Sequence, residues 1–160
     1  MTLINQQVNF TKTTGIFLII GFFIPGFTAI AILGLQMLIQ ACGIECSKTW
    51  TILWLITITG SIVLPIMMYR TVKNRNISHK ALKLRLNTFN LFEYLFIQAS
   101  LTVFISNPKM LCYGTDGQNG LEFVFTAWLA LPLLFLFSVL LKKVQNDQLD
   151  RKNISAQHQV

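Results

Sequence analysis

The chain alternates long stretches that carry no charge with short stretches crowded with it. From Thr13 to Ile44, 32 consecutive positions are uncharged, and from Thr49 to Tyr69 another 21 are. Between Leu86 and Pro108 the one charge is Glu93, and Phe123 to Leu141 adds a run of 19 uncharged residues. A helix needs ~20 apolar residues to cross ~30 Å of hydrocarbon. The pattern therefore predicts an all-α integral membrane protein, a bundle of four transmembrane helices near 15–40, 49–69, 87–107 and 121–141. The strict alternation over ten-residue segments that a membrane barrel needs is missing. Helices are also required because lipid offers the backbone no hydrogen-bond partners. The domain reading is one transmembrane unit over 1–141 and a polar tail over 142–160, the tail expected to be mobile.

Composition supports lipid as the solvent. The 160 residues are 53% hydrophobic and 12% charged, whereas soluble domains carry about 25% charged residues. The net charge of +7 does not point to nucleic acid, because its distribution has another cause. Eleven of the thirteen Lys and Arg residues lie at the N-terminus, between spans two and three, and in the tail; Lys48 and Lys109 alone lie in the other two loops. The positive-inside rule then puts both termini in the cytoplasm. Arg70, Lys73, Arg75, Lys80, Lys83 and Arg85 form a basic cytoplasmic patch beside the membrane, each worth ~1 kcal/mol of attraction to anionic headgroups. The first apolar run is too long for the core of a signal peptide, so cleavage after the "AIA" at 29–31 is not expected. The sequons at Asn9, Asn76 and Asn153 fall on the cytoplasmic side and carry no weight.

Within the spans, "IPG" at 24–26 predicts a kink in the first helix, and Pro65 and Pro132 lie in the second and fourth. Trp50 and Trp54 are expected at the outer interface, where tryptophan is enriched, and Tyr69 at the inner one. Glu93 is the outlier. It lies eight residues past Arg85, or ~12 Å into the membrane at 1.5 Å per residue. Asn87, Asn90, Glu93, Tyr94 and Gln98 share an arc of about 140° on a helical wheel. Asn90, Glu93, Tyr94 and Gln98 are thus the candidate intramembrane polar contact, facing other helices rather than lipid. At that depth the carboxyl is expected to be neutral or paired, since desolvation penalises its charge. Gln36, Gln40, Thr57 and Thr59 are the candidate partners. The row serves as an internal clamp, as a contact for a membrane partner, or as part of an ion pathway.

The "NLFEY" at 90–94 resembles the Asn-x-x-Glu segment of the membrane-associated eicosanoid and glutathione metabolism family over about ten residues. In that family the segment lies in the second span and follows an Arg, where Leu86 stands here; no fold or activity is carried over from it. Cys42, Cys46 and Cys112 all fall on the outer side, where Cys42 or Cys46 could join Cys112 and leave one thiol over. A four-span thiol oxidoreductase would use two cysteine pairs, and a fourth cysteine is missing. There is no phosphate-binding glycine loop, no Ser-His-Asp set and no zinc helix motif, so no catalytic residue, cofactor or metal is assigned and the chain leans away from enzymes.

In architecture, small four-span proteins with minimal loops are similar to immunity proteins against pore-forming bacteriocins and to conjugation-exclusion proteins of plasmids. That resemblance implies intramembrane protein–protein interaction in a bacterial inner (cytoplasmic) membrane. The partner would be another membrane protein, a membrane-inserted toxin or a conjugation component, within the lipid bilayer. The alternatives are thiol chemistry at the outer cysteines and a transporter or channel component built on Glu93.

Overall fold

The computed structural model describes residues 8–73, 77–106, 111–112 and 119–157. Among them all regular structure is helical, with no strand. Five helices follow one another: α1 (Phe10–Phe23), α2 (Gly26–Ala41), α3 (Cys46–Lys73), α4 (His79–Ile105) and α5 (Asn119–Gln157). Three stretches are long and apolar enough to cross a membrane by themselves, Cys46–Lys73, His79–Ile105 and Glu122–Gln148. Helices of this length and apolarity are consistent with an integral membrane protein.

The expected first span is two helices rather than one kinked helix. α1 and α2 meet at a 76° bend. Pro25 has no N–H, so the carbonyl of Gly21 loses its donor. Ile24, the residue before it, leaves the helical region at φ −128°, ψ 61°. With 14 and 16 residues, the two pieces are ~21 and ~24 Å long, each short of a ~30 Å hydrocarbon core. They are a broken span or a re-entrant pair, and with the pair taken as one span the number of crossings is four. The break is served by a neighbour. The indole N–H of Trp128 donates to the carbonyl of Phe22 at 3.2 Å, and its ring stacks on that of Phe22.

The other helices exceed their predicted lengths. α3 and α4 run into the stretch expected to be the basic loop, α3 ending at Lys73 and α4 starting at His79. Ser78 caps α4 by accepting from the backbone N–H of Ala81. α5 continues as helix through the polar tail to Gln157, where a mobile segment was expected.

The polarity pattern is inverted relative to a water-soluble bundle. Large apolar side chains such as Phe23, Ile30, Met37, Leu38, Ile62 and Phe104 are exposed, while Thr14, Thr28, Thr57, Asn90, Glu93, Gln98, Thr102 and Thr126 are buried. In lipid this is the low-energy arrangement: tails solvate Ile and Phe, and polar groups find partners inside. One apolar cluster joins Phe10, Leu86, Phe89, Tyr94, Ile97 and Leu134 around α4. A second lies nearer the cysteines and holds Ile32, Trp50, Leu53, Ala99, Leu111 and Phe123. Trp50 belongs to this cluster, 1% exposed and 6.1 Å from the Phe123 ring. It packs among the helices rather than on the outer surface.

Candidate functional site

The polar row of α4 is where the structure concentrates its side-chain chemistry. The helix forms there because α4 is capped at Ser78 and runs uninterrupted by Gly or Pro to Ile105. Its buried residues recur at helical spacing, Leu86, Phe89, Asn90, Glu93, Tyr94, Ile97 and Gln98 among them. The structure therefore brings Asn90, Glu93, Tyr94 and Gln98 together on one buried face. Asn87, placed on the same arc by the wheel, is exposed.

Most of the row is engaged with other helices. Thr14 of α1 donates to Asn90 Oδ1 at 3.3 Å. Thr28 of α2 donates to Gln98 Oε1, while Gln98 Nε2 donates to the carbonyl of Phe123 in α5 at 3.0 Å. One side chain thus ties three helices. Ser100 donates to Thr57 of α3 at 3.2 Å, Thr102 shares a 2.9 Å bond with Thr126 of α5, and Ser106 donates to Glu122 at 2.6 Å. Tyr94 packs edge-on against Phe17, with ring centroids 5.8 Å apart, and its hydroxyl lies beneath Gly21. α4 is therefore the hub through which every other helix is held by a side-chain bond or a ring contact.

Glu93 is the exception. It is fully buried, and neither carboxyl oxygen has a hydrogen-bond partner among the described residues. The four candidate partners are engaged elsewhere or distant in role. Gln36 donates weakly to Cys46 Sγ at 3.5 Å, and Thr57 donates to the carbonyl of Leu53 at 2.7 Å. No bond joins Gln40 or Thr59 to Glu93 among the described residues. Asn90 Nδ2, three residues earlier on the same face, is also unpartnered there. A buried polar group without a partner costs about 1–3 kcal/mol, so the site stores that much unused bonding capacity at the bundle centre.

Sequence reasoning missed the threonines. Thr14, Thr28, Thr102 and Thr126 are each buried to 0% exposure and supply the other half of most of these bonds. The available signal was their position inside otherwise apolar runs, where a hydroxyl needs an acceptor.

Of the three cysteines, Cys46 at the start of α3 and Cys112 come within disulfide distance, 2.06 Å between sulfurs. Cys42, four residues before Cys46, is exposed and free. In the basic patch, Arg70, Lys73, Lys80, Lys83 and Arg85 are exposed at the facing ends of α3 and α4; Arg75 lies outside the described residues. Among the described residues no three His, Cys, Asp or Glu side chains group where they could hold a metal ion. Compared with known proteins, the chain matches no family model, no curated protein and no solved structure.

Proposed function

We propose that this chain crosses a bacterial inner membrane four times with both termini in the cytoplasm, and that it acts by binding another membrane protein within the bilayer. The unit over 1–141 is the binding body and 142–160 is its cytoplasmic extension. The observation that carries the binding role is the inward spending of polar groups. Glu93 apart, the α4 row holds α1, α2, α3 and α5, which leaves outward apolar faces and short loops as the surfaces that meet other molecules. A rigid bundle with apolar sides suits recognition of a membrane-inserted toxin or of a conjugation component, the immunity or exclusion class of function.

The order of contacts supports four crossings. Along the α1–α2 pair, Thr14 meets Asn90, Gly21 approaches Tyr94 and Thr28 meets Gln98, all on α4, while Gln36 reaches Cys46 at the start of α3. The pair advances steadily alongside α4 despite its bend, as a broken span does and a re-entrant pair does not. Reporter fusions at the two ends test this: both are expected to score cytoplasmic, and opposite compartments would leave three crossings. For the partner, crosslinking in native membranes is expected to capture a second, different membrane protein. Recovery of this chain attached to itself alone would overturn the reading.

Thiol chemistry is a second reading, favoured by the pairing of Cys46 with Cys112 beside the exposed thiol of Cys42. The outer compartment would keep that pair oxidised. If the pair works as an oxidant rather than as a staple, it takes two electrons and two protons from a substrate dithiol and passes them to a quinone, and Cys112→Ser abolishes quinone reduction by purified protein supplied with a dithiol. If it is a staple, that variant loses stability and no activity is detected in either form.

A further inference from the structure

The end of the bundle opposite the cysteines holds a cleft of ≈ 530 Å³ between α1 and α4. Lys12, His79 and Lys83 stand at its mouth, with Asn9 and Asn87, and Ile16, Phe17 and Ile20 form an apolar wall. Neither lysine is ion-paired among the described residues, where the one salt bridge joins Lys48 to Glu45. Both helices begin at this cleft, and neither has an acidic residue in its first turn. Their N-terminal ends add positive potential to that of the lysines.

The depth of these groups matters as much as their charge. Lys12 is the last charged residue before the uncharged run that starts at Thr13, and Lys83 stands three residues before the run that starts at Leu86. Both ammonium groups therefore sit where hydrocarbon gives way to headgroups. Ile20 is eight residues further along α1, ~12 Å deeper. A cationic mouth at headgroup level above a half-open apolar wall has the shape and charge order of a glycerophospholipid.

We propose that this cleft is a binding site for one anionic phospholipid, its phosphate held by Lys12 and Lys83 and an acyl chain lying along Ile16 and Ile20. His79 and Asn87 supply further donors to the headgroup. The site differs from the loop's diffuse attraction for anionic lipid, because it has a wall and because Lys12 comes from a different part of the chain. It rests on the chain lying in a bilayer and not on the identity of any protein partner.

The test is electron spin resonance on the full chain reconstituted in phosphatidylcholine with spin-labelled phosphatidylglycerol or spin-labelled phosphatidylcholine. The wild-type protein is expected to immobilise the phosphatidylglycerol probe preferentially. The double variant Lys12→Gln/Lys83→Gln is expected to lower that preference by about fivefold for each lysine removed. Lys142→Gln/Lys143→Gln makes the same charge change outside the cleft and is expected to lower it less than about twofold, since screening confines a general surface effect. Ile20→Trp fills the wall with the charges intact and is expected to abolish the preference as well. An unchanged preference in Lys12→Gln/Lys83→Gln, or an equal loss in the Lys142/Lys143 control, would overturn the proposal. So would displacement of the probe by millimolar inorganic phosphate, which would mark a site for free anions and not for lipid.

Discussion

At Gly60, the one glycine of α3, the Phe96 ring of α4 lies close against the backbone, and one added methyl group measures how closely. A Cβ on Gly60 would stand 2.3 Å from Phe96 Cδ2, 2.4 Å from Cε2 and 3.2 Å from Cγ. Apolar carbons rest at ~3.5–4.0 Å, so the overlap is about 1.2 Å. The helices cannot simply part, because Ser100 binds Thr57 one turn away. The ring is also flanked by Phe92 at 6.2 Å. Overpacking of this kind costs about 1–3 kcal/mol. Alanine also gains ~1 kcal/mol over glycine in helix propensity, which would mask part of the penalty. Gly34→Ala removes that ambiguity, because nothing lies within 4 Å of a Cβ there. The difference between Gly60→Ala and Gly34→Ala cancels propensity and is expected to be about 1–3 kcal/mol. Titration with sodium dodecyl sulfate from maltoside micelles, followed by helical circular dichroism, gives both values. Phe96→Ala in the same background should remove most of the Gly60→Ala penalty, as a cycle between touching residues requires. Equal effects of the two glycine substitutions, within ~0.5 kcal/mol, would refute the close approach of α3 and α4.

Three further outcomes follow from the polar interior and the cysteines. Glu93→Leu is expected to accumulate in membranes and resist the same titration at least as well as wild type, because it removes a buried group with no partner, worth about 1–3 kcal/mol; earlier unfolding would show that the carboxyl is bonded. Gln98→Leu breaks the bonds to Thr28 and to the Phe123 carbonyl and is expected to cost ~1–3 kcal/mol at the ~0.6–1.7 kcal/mol typical of each such bond in membranes, whereas Gln36→Leu should change the midpoint little. Maleimide labelling of denatured, unreduced protein should tag Cys42 alone and all three cysteines after reduction, and Cys112→Ser should lower stability by up to ~4 kcal/mol for a closed loop of this length; three reactive thiols before reduction would remove the bridge.

The spans were legible because hydropathy over twenty residues is a bulk property, and three of the four predicted runs became single long helices. The first run shows the limit of that signal. Pro25 marked a kink, but the depth of the bend depended on whether a neighbour could serve the freed carbonyls. Trp128 does so from more than a hundred residues away. The face of α4 was also legible, since Asn90, Glu93, Tyr94 and Gln98 share a wheel sector whatever surrounds them. Their partners were not, because pairing depends on the register between helices whose bonded residues are 25 to 76 positions apart. Depth disfavoured Gln40 alone and left Gln36, Thr57 and Thr59 for Glu93, yet Gln36 donates to Cys46 and Thr57 to the Leu53 carbonyl. The contact of Trp50 with Phe123 was illegible for a related reason: its place at the end of an apolar run is the same whichever way its ring faces.

The length of α5 has a mechanical consequence. Its 39 residues span ~58 Å, nearly double a bilayer's ~30 Å of hydrocarbon, and the 16 that follow Leu141 account for ~24 Å of that length. A rod held at one end amplifies rotation at the other. A ~10° tilt about Pro132, produced by anything that pushes between α5 and its neighbours, swings the tip, 25 residues or ~37 Å further along, by roughly 6–7 Å. A small push at the apolar flank of α5 would thereby become a larger displacement of its polar end.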